Sequence, residues 1–239
     1  MPRRYVILDV FADRPLAGNP LAVVLDTDGL DEKRERLTKG FRASMPDVSS
    51  DGLRVTFVTN TRGTSYLQMG DLGPDGITNV HSLAHSERFD QAFSPRFSPD
   101  GSKVVYSAWT KGGYRDIRVV DVATKKIVQV TRDRAVDGGP TWSPDGRTIY
   151  FHSDRTGVMN IFAYDTETGR FSQVTNVLTG AYQPVISPDG STLVYVGFTH
   201  VGFDLFGMKL DRERFLVADP HVDERPTPHR DHSSSSVHM

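Results

Sequence analysis

The chain contains no cysteine. That removes disulfide staples, thiolate nucleophiles and thiolate-held metals together, and leaves the redox compartment open. Charge of one sign is also missing, since 28 basic residues against 30 acidic ones give a formal charge of −2. No global field draws in nucleic acid or an anionic bilayer, so neither is expected as a partner. Long apolar runs are lacking too: nothing approaches the roughly 20 residues of a spanning helix, so no membrane insertion is expected. The opening stretch MPRRYVILDVFADRP is interrupted by Asp9 and Asp13. It lacks the continuous apolar region of a secretion signal, and a cytoplasmic location is the expectation for the chain as written. There is no G-x-S-x-G elbow, P-loop, dinucleotide fingerprint or H-E-x-x-H pair. The usual nucleophile, nucleotide and zinc-hydrolase readings therefore lack their starting residues, and no cofactor or resident metal is expected. DTDGLD at 26–31 opens like a calcium loop but has neither glycine sixth nor glutamate twelfth,.

What is present is a repeat. SSDG at 49–52 and SPDG at 98–101, 143–146 and 187–190 place their aspartates every 44–49 residues along the 239-residue chain. A period in this range, combined with strand patterns, signals propeller blades. Proline second in the turn presets φ, aspartate tolerates the third position, and glycine supplies the left-handed exit, which makes the motif a structural connector. Beyond each glycine an aliphatic and an aromatic residue alternate: Val55/Phe57, Val104/Tyr106, Ile149/Phe151 and Leu193/Tyr195. Period-two alternation puts each pair on one strand face, where they predict the core between blades. A first strand led by proline precedes each turn (Pro46, Pro95, Pro140, Pro184), a third strand follows at SYLQMGD, DIRVVDV, NIFAYDT and DLFGMKL, and IVQVT and FSQVT mark a fourth. The fold class expected is therefore all-β: a propeller of four-stranded blades, with four recognisable units in an open or incomplete disc.

The pattern across 140–175, P-x-W-SPDG through I-F-x-x-D-x-x-T-G to Q-V-T, resembles the WD-repeat-like blades of TolB-type β-propellers, and the likeness runs from about 33 to 217. It implies a disc whose channel ends bind proteins or small ligands, with no catalytic motif in the blade itself. It also implies relatives that are periplasmic or exported, some of them the propeller part of a larger peptidase or envelope protein. Residues 1–32 differ. YVILDVFADRPLAGNPLAVVLD, with Gly18, Asn19 and Pro20 at its turn, resembles the first hairpin of PhzF-like isomerases and epimerases. The Asn-Leu-Ser-Glu-Thr segment that carries the general base in that family has no counterpart here, so an isomerase remnant is the rival reading. ERLT at 35–38 matches the end of a fourth strand. The hairpin Tyr5–Phe11 and Leu21–Asp26 could pair there as a hybrid blade, covering an otherwise bare sheet edge. Residues 219–239, rich in proline, serine, histidine and charge, are expected to be a disordered tail.

The variable residue in each first strand and those just before it are expected on the channel face: Asp47, Arg96, Asp137, Thr141, Tyr182 and Val185. A protein or small-ligand site there is one reading. Asp47 and Arg96 pairing across adjacent blades, at about 0–1 kcal/mol, is the other. In NVHSLAHSERFDQAFSP, His81, His85, Glu87 and Asp90 lie within ten residues. A helix would align the two imidazoles for a metal, whereas an extended insertion would leave them solvated, which is the expectation. His152 and His200 are read as hydrogen-bonded or surface histidines. Tyr66, Trp109 and Tyr114 lack the basic groove of a single-strand nucleic-acid platform. The function expected is a noncatalytic interaction module.

Overall fold

The computed structural model describes residues 5–10, 19–24, 37–38, 40–73, 76–110, 112 and 114–218. The chain divides into two compact units, 1–36 and 37–239. In the first, β1 (Tyr5–Val10) and β2 (Asn19–Val24) pair antiparallel, Tyr5 opposite Val24 and Val10 opposite Asn19. Among the described residues they pair with each other as a two-stranded sheet, where a hybrid blade with the ERLT segment was expected. Gly18, the DTDGLD stretch, Glu35 and Arg36 of the ERLT match, and the tail at 219–239 lie outside the described residues.

The second unit is an open propeller. Blade 1 runs β3 (Ala43–Val48), β4 (Arg54–Thr61), β5 (Thr64–Gly73) and β6 (Gly76–Ser82). Blade 2 runs β7 (Gln91–Phe97), β8 (Lys103–Thr110), β9 (Tyr114–Asp121) and β10 (Ile127–Gln129). Blade 3 runs β11 (Gly138–Trp142), β12 (Thr148–Ser153), β13 (Asn160–Asp165) and β14 (Phe171–Gln173). Blade 4 has three strands, β15 (Ala181–Ile186), β16 (Thr192–Thr199) and β17 (Gly202–Lys209). The named strands of each blade pair antiparallel, and the first strands pack in series, β3 on β7, β7 on β11, β11 on β15. After β17 a single 3-10 turn at Arg212–Arg214 leads to β18 (Leu216–Val217), which pairs with β14 and so becomes a fifth strand of blade 3.

The four turns that define the repeat share one set of bonds. Each glycine N–H donates to the serine carbonyl three residues earlier at 2.8–2.9 Å, with glycine φ between +69° and +73°. Each serine Oγ donates to the turn aspartate at 2.5 Å and accepts the N–H at the start of the second strand: Arg54, Lys103, Thr148 or Thr192. The hydroxyl first and then backbone N–H groups hold the Asp100 and Asp189 carboxyls down to about 2. The aspartates are thus structural, as the turn chemistry predicts.

The alternating pairs form the core. Val55, Phe57, Val104, Tyr106, Ile149, Phe151 and Leu193 are buried, and three apolar clusters fill the junctions of blades 1–2, 2–3 and 3–4. Blade 4 presents its other face to solvent: Leu205 is 76% exposed, while Leu67, Ile117 and Ile161 at the same register in blades 1 to 3 are fully buried. Among the described residues no helix is long and apolar enough to cross a membrane.

The His81 segment is extended, as expected. Residues 76–82 are strand β6, His81 and His85 are exposed, and the helical spacing that would align them for a metal is absent.

Candidate functional site

Each first strand carries an extra residue. Pairing with the second strand slips between Ser44 and Asp47, Phe93 and Arg96, Gly138 and Thr141, and Tyr182 and Val185. The slipped residue before each proline is left-handed: Met45 (φ 53°), Ser94 (48°), Gly139 (54°) and Gln183 (49°). A bulge of this kind bends its strand and redirects the next side chain. For the three residues with a Cβ, the conformation costs on the order of 1–2 kcal/mol each. Strain repeated at the same place in three of the four blades is the kind of feature that accompanies binding sites.

The bulged strands converge on a cavity of about 540 Å³. Its wall includes Asp47 and Pro46 of blade 1, Ser94 and Arg96 of blade 2, Thr141 of blade 3 and Val185 of blade 4, with Val194 and Leu205 on the open face of blade 4. Four of the six residues expected on the channel face are therefore brought together here. Asp47 does two things at once. One carboxylate oxygen accepts the Phe97 N–H at 2.8 Å and the other lies 4.0 Å from Arg96 Nη1. Burial raises its pKa, against the Phe97 N–H and Arg96. The pair across blades exists, and it still borders the cavity.

The remaining two residues sit elsewhere. Tyr182 packs edge-on against His152 and Phe203, with ring centroids 5.8 and 6.0 Å apart. Asp137 is fully buried between blades 2 and 3, with Arg155 Nη2 3.2 Å away. Arg155 also lies 3.4 Å from Asp133 and stacks over Phe151, Phe162 and Phe171. Carboxylate oxygens of Asp116, Asp133 and Asp137 all lie within 4.8 Å of one another. Of the described residues this is the one grouping with metal-ligand geometry, and the guanidinium already supplies its counter-charge. Burial, offset by Arg155 and reinforced by Asp133, pushes the Asp137 carboxyl up to about 6. Beside it, His152 accepts the Gln183 N–H at Nδ1 (3.2 Å) and is held down to about 4 by burial and by Arg115. At neutral pH it is a neutral, hydrogen-bonded histidine, as read. Asp116, Asp133 and Arg155 were not anticipated. The legible signal was the mixed-charge loop TRDRAVDGG between blades, together with an aspartate directly before the buried Ile117.

A larger hollow of about 650 Å³ lies between Phe89 and Trp109, and none of the six residues expected on the channel face lines it. Among the described residues, the titratable lining of the central cavity consists of Asp47, Arg96 and Tyr195.

Comparison with known proteins agrees with this architecture. The Tol-Pal system protein TolB of Alcanivorax borkumensis is 29% identical over 107 residues, 44% of this chain and 24% of the relative. That of Francisella tularensis subsp. mediasiatica is 32% identical over 75 residues, 28% of this chain and 17% of the relative. The aligned segments thus span a quarter or less of these curated relatives. Among solved structures, TolB from Acinetobacter baumannii superposes with a TM-score of 0.60 at 20% identity, over 89% of this chain and 51% of that one. A Mycobacterium tuberculosis puromycin-hydrolyzing peptidase gives 0.65 at 13% identity, over 83% and 32%. At such identities these likenesses show the fold alone. The family profile described as TolB beta propeller domain matches residues 17–232. With most of its length matched and its four-stranded blades in place, the chain belongs to the TolB beta propeller domain family.

Proposed function

We propose that this chain is a noncatalytic interaction module whose central cavity receives a segment of a partner protein. One observation carries the reading: in all four blades the bulged, left-handed residue turns the first strand, and the residues that follow it line one cavity. The Asp47–Arg96 pair and the apolar Val185, Val194 and Leu205 offer a peptide both hydrogen bonds and contact area. Curated relatives are named as Tol-Pal system proteins. That supports a protein partner of the same system and a periplasmic or exported location, in place of the cytoplasmic one expected from the N-terminus. The reading that the chain is the propeller part of a peptidase draws on fold likeness only, and no pairing of catalytic groups in the cavity supports it.

The test is binding of the soluble domain of the Pal component from Alcanivorax borkumensis, measured by biolayer interferometry. Thr141→Arg fills the cavity and is expected to weaken binding at least about tenfold, the equivalent of 1.4 kcal/mol. Lys126→Glu, on an outer strand end, serves as the control and leaves binding unchanged. Equal binding by the wild type and Thr141→Arg, or no binding at all, refutes the proposal.

A further inference from the structure

Among the described residues blade 4 has no outermost strand of the kind the other three possess, and the chain shows what that strand looks like. In blades 1 to 3 one residue of the third strand turns its backbone outward, and a fourth strand meets it. Leu67 O accepts the Leu83 N–H at 2.9 Å, Ile117 O the Val130 N–H at 2.9 Å, and Ile161 O the Val174 N–H at 2.8 Å. In blades 2 and 3 the bond is returned through a side chain. The Ile117 N–H donates to Thr131 Oγ1 at 2.9 Å and the Ile161 N–H to Thr175 Oγ1 at 2.8 Å. A glutamine two residues before each threonine ties the strand end by donating to that threonine's carbonyl, Gln129 to Thr131 and Gln173 to Thr175, both at 2.8 Å.

The register identifies the matching position in blade 4. Ile117 lies opposite Ser107, Ile161 opposite His152, and Leu205 opposite Val196. Leu205, and by two-residue periodicity Gly207, therefore present N–H and C=O groups at the outer edge. Among the described residues nothing pairs with that edge, because β17 has β16 as its one strand partner. The next strand of the chain does not return to it, because β18 joins β14 instead. The edge is eight residues long, carries no proline, and bears exposed Phe203, Leu205 and Phe206. Natural sheets shorten, charge or cover edges of this kind.

We infer that the outer edge of β17 is a strand-addition site for an extended segment of another protein with the pattern apolar-small-Gln-Val-Thr. The occupant continues an interface the chain itself establishes in blades 2 and 3, so its chemistry follows position by position. The Val N–H meets Leu205 O, the Thr hydroxyl accepts the Leu205 N–H, and Gln lies opposite Phe206, as Gln173 lies opposite Phe162. A small residue faces Gly207, where Ser172 faces Ala163, and a bulky apolar one faces Met208, where Phe171 faces Tyr164 at 4.9 Å between ring centroids. Main-chain bonds supply the affinity of such additions and the alternating side chains their selectivity.

The experiment uses the whole chain and a fluorescein-labelled peptide RFSQVTN, read by anisotropy and by amide hydrogen exchange. Saturable binding is expected, with exchange at the Leu205 and Gly207 amides slowed at least about tenfold at saturation. A peptide N-methylated at the valine nitrogen loses the bond to Leu205 O, leaves the protein untouched, and is expected to bind at least about tenfold more weakly. Thr141→Arg in the central cavity leaves this binding unchanged, which separates the edge from the cavity site. No anisotropy rise up to roughly 1 mM peptide overturns the inference, as do equal binding of the methylated peptide or protection that omits Leu205.

Discussion

Replacing Arg155 with methionine tests the buried charge cluster between blades 2 and 3. Methionine keeps an unbranched apolar stem over Phe151, Phe162 and Phe171, whose ring centroids lie 5.3, 5.0 and 5.2 Å from the guanidinium carbon. What it removes is the positive charge 3.4 Å from Asp133 and 3.2 Å from Asp137. Taking one partner from a buried ion pair costs about 3–5 kcal/mol, because the other charge stays buried. Here three carboxylates remain within 4.8 Å of one another, so the upper half of that range applies, about 4 kcal/mol. At about 2–4 °C per kcal/mol for a chain of this size, the melting temperature falls by roughly 8–16 °C. The pH dependence has a definite sign. Asp137 already stands at about 6 against its ordinary 3.8, and loss of Arg155 raises it further. A carboxyl raised in the fold favours folding fully below its unfolded pKa, and that contribution is lost as pH rises through the folded one. The deficit of the variant is therefore smaller at pH 5 than at pH 7.5. Urea unfolding at both pH values, followed by the fluorescence of Trp109 and Trp142, measures it. A deficit at pH 7.5 under about 1 kcal/mol, the scale of an exposed pair, or one that grows on acidification, refutes the reasoning.

Four further outcomes follow from the same geometry. His152, held to about 4, loses stability as pH falls from 6.5 towards 4, while Asp137 loses it as pH rises from 3.8 towards 6. Their opposing terms, each about 3 kcal/mol, largely cancel. Asp137→Asn removes one of them, so its stability measured by urea titration should climb with pH between 4 and 6.5; a flat profile contradicts the assignment. Ser98→Ala deletes the donor to Asp100 and the acceptor for the Lys103 N–H. It is expected to cost about 1–2 kcal/mol and to raise the Asp100 pKa from about 2, which carboxyl NMR titration reads directly. Gln183→Gly at φ 49° relieves left-handed strain and should stabilise by about 0.5–1 kcal/mol in thermal melts. Gly139→Ala should destabilise by more than that, since its Cβ would lie 2.9 Å from His152 Nδ1.

The blades were legible because their determinants are local. A turn of four residues, a serine that clamps it and an aliphatic-aromatic pair on the next strand all lie within about ten residues, and every copy repeats them. Strand β6 was harder to read, since left-handed Asn79 and a slip in pairing between Met69 and Asp71 break its alternation. Strand β18 has two residues and no period to detect. The first-strand positions that line the cavity were readable from the repeat, but the charge cluster was not. Asp116, Asp133 and Arg155 come from a third strand, a connection between blades and a turn, and only the packing of blade 2 on blade 3 brings them within bonding distance.

The return of the chain from β17 to β14 alters how this end of the array comes apart. Repeat proteins commonly fray from a terminal unit, one neighbour interface at a time. Here Leu210 and Phe215 pack into the core between the last two units, and Arg212 Nη2 donates to Thr148 Oγ1 at 3.0 Å. A force applied at Ala218 therefore peels Val217 and Leu216 from the penultimate unit before it loads the last one, and spontaneous opening of the last unit must break the same lashing. The two units are expected to melt as a pair.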